Sequence, residues 1–460
     1  MPMPALNDIR LTLRGLFVLG VKRVPGTFQE QRKWLSETQW WSQEKLHELQ
    51  LTLLQSIIRH AFDSVPYYQE TMKAQGLVPE DIRTLQDVQK LPIITKDIVR
   101  EQGPRFVSTK AGRWFVATGY SGGTTGRRLV HKRDLRSVII EHAFVRRQYD
   151  WAGLAVKDRC ARMMQREIVS PAREHTRPYA YDAATRELYL STYHISKETV
   201  RLYVNALADY GVKALVAYPS GAFALARLCL DEGLRVSLKA VLTTSETLDP
   251  AKREVISRAF ECPVYDFYGS GERVCYIHTC ERGTYHVLPE YGLTEFLPAG
   301  PPNEGSFRVV STGFWNRAMP LIRYDLGDLV QLGDQPCRCG RAFPVVKRIV
   351  GRDSNVMVTP SGKIFGATAI EDMMENILFD MQGMPVLEAQ MILEAADLMV
   401  LEYVPLDGFC EKDTERLNRL VKEHLPTEFR SSVRPVARIQ RTASGKALSL
   451  VIRNPGQNSV

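Results

Sequence analysis

The chain has 460 residues, 44% of them hydrophobic and 24% charged, an ordinary globular balance with room for two or three domains. Lys plus Arg is 60 and Asp plus Glu 52, a formal charge of +8. No dense basic block stands out, which argues against nucleic acid as a partner. The mild excess suits an anionic substrate such as ATP, and equally a scattered basic surface. No apolar run reaches the roughly 20 residues of a membrane span, and eight cysteines do not make a disulfide scaffold in a chain of this length.

Taken in chain order, Gly15–Val21 is apolar but short and lies between Arg14 and Lys22. It has no small-residue cleavage site and reads as an ordinary N-terminal helix, with a surface-lying or dimer-forming amphipathic segment as the other reading. Leu46, Leu49, Leu53, Leu54, Ile57, Ile58 and Ala61 recur at helical spacing, so Glu44–Tyr68 reads as a helix running into a turn and stopped by Pro66. Thr95 is placed to cap a helix starting near Lys96. Ser121–Gly126 reads as a glycine-rich turn, Leu129–His131 as extended and Ser137–Tyr149 as helical. The apolar runs Lys213–Tyr218, Lys239–Thr244 and Pro263–Tyr268 alternate with helical stretches at Gly221–Glu232 and Pro250–Phe260. That alternation predicts a parallel sheet in an α/β layer. From Gly305 to Leu332 the pattern turns to short strands. Beyond Gly351-Arg352-Asp353, a helix near Ala367–Ile377, strands within Leu387–Val404, a charged helix near Glu411–Leu425 and a strand at Val433–Ile439 predict a small α+β domain. The expected architecture is α/β: a large N-terminal domain with parallel sheets, residues 1–350, and a small mobile α+β domain, residues 353–460.

Four segments carry chemistry. Ser121-Gly122-Gly123-Thr124-Thr125-Gly126, followed by Arg127, lacks the Walker A pattern. Its glycines nevertheless let backbone N–H groups approach an anion, and its hydroxyls add donors. Tyr268-Gly269-Ser270-Gly271-Glu272 ends a strand in a glycine turn with a carboxylate suited to Mg²⁺. Asp328, after the turn in Arg323-Tyr324-Asp325-Leu326-Gly327-Asp328, is able to accept from both ribose hydroxyls. Lys446, on the glycine-containing stretch Arg441–Lys446, is placed to stabilise charge developing at a phosphoryl or carboxyl oxygen. Singly, each is also the signature of a plain surface turn.

In this order and spacing the segments resemble the adenylate-forming superfamily of acyl-CoA synthetases, peptide-synthetase adenylation domains and luciferases, most closely its phenylacetate–coenzyme A ligase branch. Val65-Pro66-Tyr67-Tyr68, the run Leu91–Lys96 and Cys339-Gly340-Arg341 add to the resemblance, which spans roughly residues 45–455. It implies that Ser121, Gly122, Gly123, Thr124, Thr125 and Gly126 hold the ATP phosphates and that Ser245 and Glu246 sit by the adenine. Tyr268, Gly269 and Ser270 would line the adenylate and acyl pocket, and Glu272 would serve Mg²⁺. Asp328 and Arg352 would hold the ribose, Lys446 would assist adenylation, and Asp353 would be the hinge. Two departures stand out. Arg127-Arg128 replaces the usual Lys-Pro, and Thr359–Lys363 is closer to capsule-biosynthesis relatives. The implied activity is ATP-dependent conversion of a carboxylic acid to an acyl-adenylate, then transfer to an acceptor thiol, which in the family's pattern is coenzyme A. An amine acceptor and a catalytically inactive scaffold are the alternatives. The expected protein is cytoplasmic, with a homodimer left open.

Cys280-x5-His286 and Cys337-x-Cys339 offer three thiolates and an imidazole, a set suited to tetrahedral structural Zn²⁺. Cys275 and His278 are rival ligands. His194 is a candidate for the acyl pocket.

Overall fold

The computed structural model describes residues 6–22, 26–111, 116–121, 129–164, 168, 177–333, 336–352, 357–358, 364–365, 367–395, 397–425, 428–441, 445–448 and 450–453. Helix α1 (Leu6–Lys22) is followed by α2 (Thr27–Thr38) and α3 (Gln43–Ser64). Ser42 starts α3 by accepting from the Lys45 amide through its hydroxyl. Pro66 stops α3, as its missing N–H requires, but it also opens α4 (Pro66–Ala74) from the first-turn position where that N–H is not needed. The chain therefore bends there into a second helix rather than a turn. Thr95 caps α5 (Lys96–Glu101) by accepting from the Ile98 amide.

Strands β1 (Val116–Ser121) and β2 (Leu129–Asp134) form an antiparallel pair with Ser121 opposite Leu129. Helix α6 (Leu135–Trp151), capped by Asp134, leads to β3 (Arg159–Met163), β4 (Tyr179–Asp182), β5 (Glu187–Leu190) and α7 (Val200–Asp209). The predicted alternation follows: β6 (Val212–Ala217), α8 (Pro219–Asp231), β7 (Ala240–Thr244), α9 (Pro250–Phe260) and β8 (Val264–Gly269). Then come β9 (Tyr276–Thr279), β10 (Tyr285–Val287), β11 (Gly292–Pro298), β12 (Phe307–Gly313), β13 (Tyr324–Leu332) and β14 (Val345–Arg352).

Twelve of these strands make one sheet in the order β11-β12-β13-β14-β10-β9-β8-β7-β6-β3-β5-β4. From β8 to β5 neighbours run parallel. The remaining pairs are antiparallel, so the parallel part predicted from the alternation is continued by the short strands that the pattern indicates after Gly305. Connection length favours this: from β8 to β13 the links are shorter than a crossover helix needs, so consecutive strands that pair there run antiparallel. The parallel strands are apolar on both sides, as doubly covered strands must be. Leu215, Ala217 and Val241 pack with α7, α8 and α9, while Ala214, Val216 and Leu242 pack towards Tyr149 of α6.

The C-terminal segment begins with the two-stranded pair β15 (Met357–Val358) and β16 (Ile364–Phe365), then α10 (Ala367–Asp380). Strands β17 (Val386–Ala395) and β18 (Leu398–Pro405), helix α11 (Glu411–His424), β19 (Arg430–Pro435) and β20 (Leu450–Ile452) complete it. Its four-stranded sheet runs β19-β18-β17-β20 and has its own core of Met374, Ile377, Met391, Leu401, Leu417 and Val421. Leu387, Val404 and Ile439 leave that sheet to join the core around α8.

One buried ion pair anchors the N-terminal helices. Arg147 of α6 donates to both carboxylate oxygens of Glu290, at 2.7 and 3.3 Å, and Thr38 donates at 2.8 Å. The pair is 3% and 0% exposed, and the guanidinium lies over Phe144, Trp151 and Phe343. Glu290→Ala strands the arginine charge in this apolar setting. The expected loss is about 3–5 kcal/mol, the cost of leaving one partner of a buried pair uncompensated. A urea midpoint unchanged from wild type would contradict the anchoring role.

Candidate active site

Parallel strands end on the same side of a sheet, so their following loops converge. Here the ends of β5, β6, β7 and β8 lead into Ser191–His194, Tyr218–Ser220, Ser245-Glu246 and Ser270–Glu272. Ser245 and Arg273 hold left-handed backbones, with φ of 72° and 60°. Such conformations are costly for residues with a Cβ and concentrate at functional turns.

The predicted ribose and adenylate residues come together from both halves of the sheet. Tyr268, at the end of β8, donates its hydroxyl to Asp328 Oδ2 at 2.6 Å. Asp328 stands opposite Arg352 in the β13–β14 register, and its Oδ1 meets Arg352 Nε at 3.1 Å. A second Arg352 donor reaches the Leu326 carbonyl at 3.0 Å. Burial pushes the Asp328 carboxyl above the usual range, opposed by Arg352 and the Tyr268 hydroxyl. Glu272 accepts from the Tyr324 hydroxyl at 3.3 Å. The Ser270 hydroxyl is buried and has no hydrogen-bond partner among the described residues, an open valence that buried polar groups seldom keep.

Gly122, Gly123, Thr124, Thr125, Gly126 and the Arg127-Arg128 departure lie outside the described residues, as do the Ser121 side chain, Asp353 and Thr359–Lys363. Strand β2, which follows residues 122–128 in the chain, is fixed to the site: Arg133 donates to the Gly271 carbonyl, and the Lys132 carbonyl accepts from Asn316 at 2.8 Å.

Lys446 reaches this crevice from the C-terminal segment. Its ammonium lies 5.8 Å from the ring centroid of Tyr218. Burial and the Arg352 charge lower its pKa, while Glu246 and Asp328 pull it back up, with burial the largest influence. Gly445 sits so close to the β5 loop, at φ 84°, that a Cβ would stand 2.9 Å from Thr192 Oγ1. Glu246 is committed to this contact: its carboxylate accepts from the Ser220 amide at 2.9 Å, the Ser220 hydroxyl at 3.1 Å and the Ala447 amide at 2.8 Å. Arg441 donates to the same Ser220 hydroxyl at 2.9 Å and pairs with Glu388. His194 is buried on the neighbouring loop, with Nδ1 2.7 Å from the Ser191 hydroxyl and no partner for Nε2 among the described residues.

Sequence reasoning missed Lys96, Tyr324, Ser220 and Arg441 as site groups. Ile94 exchanges backbone hydrogen bonds with Arg323 and Asp325 at 2.9 Å each. That bridge brings Lys96 within electrostatic reach of Glu272, Asp328 and Arg352, and burial lowers its pKa. The signal was present in the run Leu91–Lys96, which was given no chemical role.

The cysteine cluster forms beside this region. Cys280 follows β9 and His286 lies in β10, a hairpin, while Cys337 and Cys339 lie on the β13–β14 loop, and β10 pairs with β14. The four ligand atoms all lie within 4.8 Å of one another. Cys280 and Cys337 sulfurs are 3.7 Å apart, and Cys339 Sγ is 3.4 Å from His286 Nε2. His286 Nδ1 faces the Phe343 carbonyl at 3.4 Å, the outer partner a ligating imidazole commonly keeps. The rival Cys275 accepts from Thr294 at 3.5 Å instead, and His278 packs among Trp151, Phe267 and Tyr276.

No model of a known protein family matches the chain. Protein CapK of Staphylococcus aureus is 25% identical over 315 residues, covering 68% of this chain and 69% of CapK. Phenylacetate-coenzyme A ligase of Thermus thermophilus is 23% identical over 444 residues, covering 88% and 95%. In solved structures, 2-hydroxyisobutyryl-CoA ligase in its postadenylation state matches with a TM-score of 0.66 at 18% identity, covering 90% of this chain and 93% of that one. The chain has the fold of adenylate-forming ligases and is similar in sequence to phenylacetate–coenzyme A ligases. The same hydroxyisobutyryl ligase in its thioesterification state gives a TM-score of 0.54.

The Glu246 contact yields a direct test. Glu246→Ala removes three accepted hydrogen bonds, and a bond to a charged group contributes about 1.5–3 kcal/mol. Amide exchange at Ala447 should speed up about ten- to a hundredfold. Unchanged protection there would show that the carboxylate does not hold the lysine loop.

Proposed function

We propose that the protein activates a carboxylic acid with ATP and passes the acyl group to a thiol, coenzyme A. The observation that carries this reading is that Lys446, from the C-terminal segment, lies beside Tyr218 and within electrostatic reach of Asp328 and Arg352, the pair that Tyr268 joins by its hydroxyl. In the first step a carboxylate oxygen of the substrate attacks the α-phosphorus of ATP, and pyrophosphate leaves. Asp328 would accept from the ribose hydroxyls, with Arg352 and Tyr268 fixing its orientation. Lys446 would oppose the negative charge gathering on the reacting oxygens in a crevice where burial strengthens that effect. Glu272 would hold Mg²⁺, which supplies charge neutralisation on the phosphates when bound, and Lys96 adds a second cation at the same place. In the second step the acceptor thiolate attacks the acyl carbon, and AMP leaves.

The two steps make opposite demands on Lys446, which must be close for the first and clear of the acyl carbon for the second. We therefore assign residues 353–460 to a unit that turns relative to residues 1–350 about Asp353. The Glu246–Ala447 and Arg441–Ser220 contacts, and the better overlap with a postadenylation structure, support an adenylation arrangement here. ATP, coenzyme A and thiolate ligands all belong to a reducing interior, so this reading places the protein in the cytoplasm.

The test is ATP–pyrophosphate exchange over a panel of carboxylic acids, with coenzyme A then added to the responding acid. Lys446→Ala should lower exchange by roughly 10²-fold or more, the scale of losing a key electrostatic contact, with the fold intact. Exchange at the wild-type rate would remove the lysine from the reaction. Adenylate that forms but is discharged by amines and not by coenzyme A would move the acceptor to the amide-forming alternative.

We assign one structural Zn²⁺ to Cys280, His286, Cys337 and Cys339. Three sulfurs and an imidazole in a compact group, with an outer partner for the imidazole, fit tetrahedral coordination and leave no position for substrate. Purified protein should contain one zinc per chain, lost in Cys337→Ser plus Cys339→Ser with a fall in thermal stability. Metal analysis that finds no zinc in the wild type would refute the assignment.

A further inference from the structure

A surface helix ordinarily buries its apolar stripe and turns its polar one to water. Helix α1 instead turns a stripe of large apolar residues outward, while Leu11, Val18 and Leu19 are half-buried. It lies against strand β4, at the edge of the large sheet, through Asp8, Thr12 and Gly15, which recur about once per turn. The Asp8 carboxylate accepts from the Tyr181 amide at 2.7 Å and pairs with Arg177 at 3.0 Å. The Thr12 hydroxyl accepts from the Ala183 amide at 3.1 Å. Gly15 comes so near that a Cβ would lie 2.4 Å from the Asp182 carboxylate oxygens. The opposite side carries Ile9, Leu13, Leu16 and Phe17, which are 49%, 64%, 56% and 68% exposed.

These four residues form a continuous stripe at helical spacing, unlike the scattered single apolar residues of ordinary surfaces. Arg10 and Arg14 stand exposed beside it. Lys22 and Arg23 follow, and Asp8, buried against Arg177, is the sole acid before Glu30. The stripe thus joins apolar surface to positive charge with no exposed carboxylate to oppose it.

We propose that this face of α1 is a docking site for an anionic membrane surface. Ile9, Leu13, Leu16 and Phe17 enter the boundary between headgroups and acyl chains, and Arg10 and Arg14 meet lipid phosphates. The helix lies on the leaflet and does not cross it, since no described helix is long and apolar enough to span. Charge selects this partner over a second copy of the chain. An isologous contact uses the same patch twice, so it would set Arg10 and Arg14 near their own copies with no acid on the helix face to receive them.

Vesicle co-sedimentation of the full chain tests the proposal, with phosphatidylcholine alone against phosphatidylcholine carrying one third phosphatidylglycerol. Binding to the anionic vesicles should be at least tenfold tighter and should weaken with salt. Leu13→Asp plus Phe17→Asp should lower it at least tenfold while leaving ATP–pyrophosphate exchange unchanged. Arg10→Glu plus Arg14→Glu should abolish the preference for anionic lipid, and it carries the test if the first variant does not fold. Failure of the wild type to bind anionic vesicles, or equal binding by wild type and both variants, overturns the proposal. So does a wild-type dimer that binds no vesicles and falls to monomers in Leu13→Asp plus Phe17→Asp, which would give the face to a second copy.

Discussion

The hydrogen bond from Tyr268 to Asp328 sets the shape of the molecule. Their strands, β8 and β13, are four places apart in the sheet order. Neighbouring strands are spaced by about 4.8 Å, so in a flat sheet they would stand about 19 Å apart. A separation of 2.6 Å between side-chain oxygens is attainable only if the antiparallel half curls back over the ends of the parallel half. The same curl brings Arg352, at the end of β14, and Glu272, after β8, to opposite walls of one crevice. A parallel sheet alone would offer loops at its carboxyl ends. The antiparallel extension adds Asp328 to those loops and buries it, which is why its carboxyl resists ionisation, with Arg352 beside it as the opposing charge.

The cysteine cluster bears on the same geometry from the other side. It joins the β9–β10 hairpin to the loop between β13 and β14, the strands that the curl must hold in place. Arg341, two residues past Cys339, stacks on Trp40 and Trp151 and pairs with Glu281. The N-terminal helices, the sheet and the cysteine loops thus share one packed corner with the Arg147–Glu290 pair.

Much of this was legible in the sequence because the determining interactions are local. The alternation at residues 212–269 is written in apolar runs and helix caps, and Pro250–Phe260 matches α9 residue for residue. The four metal-ligand candidates were legible because ligand chemistry admits few residue types. Register was not legible. Nothing in the order of residues says that β14 pairs with both β10 and β13, because strand pairing at long separation depends on side-chain fit across the whole sheet. For the same reason Ser220 and Arg441 escaped notice. They gain meaning only when residues 220 and 441 meet through one hydroxyl. Pro66 was read as a stop, which it is, but the helix it begins depends on Tyr67 and Tyr68 packing on Phe106, a contact no local pattern contains. For α1 the sequence allows a surface-lying amphipathic segment, but periodicity does not say which side of the helix faces the protein.

The seat of Gly445 against Thr192 has a consequence for fidelity. An acyl-adenylate is an energetic anhydride that water destroys without profit. The loop that brings Lys446 forward also fills the gap beside the β5 loop so tightly that even a methyl group would not fit. Under the proposed function, the activated carbonyl would be shut away from solvent on that flank while the loop is seated. If the C-terminal segment turns as proposed, hydrolytic leakage would depend on how long the loop dwells away from its seat, and an acceptor that binds quickly after the loop departs would protect the intermediate simply by arriving before water does.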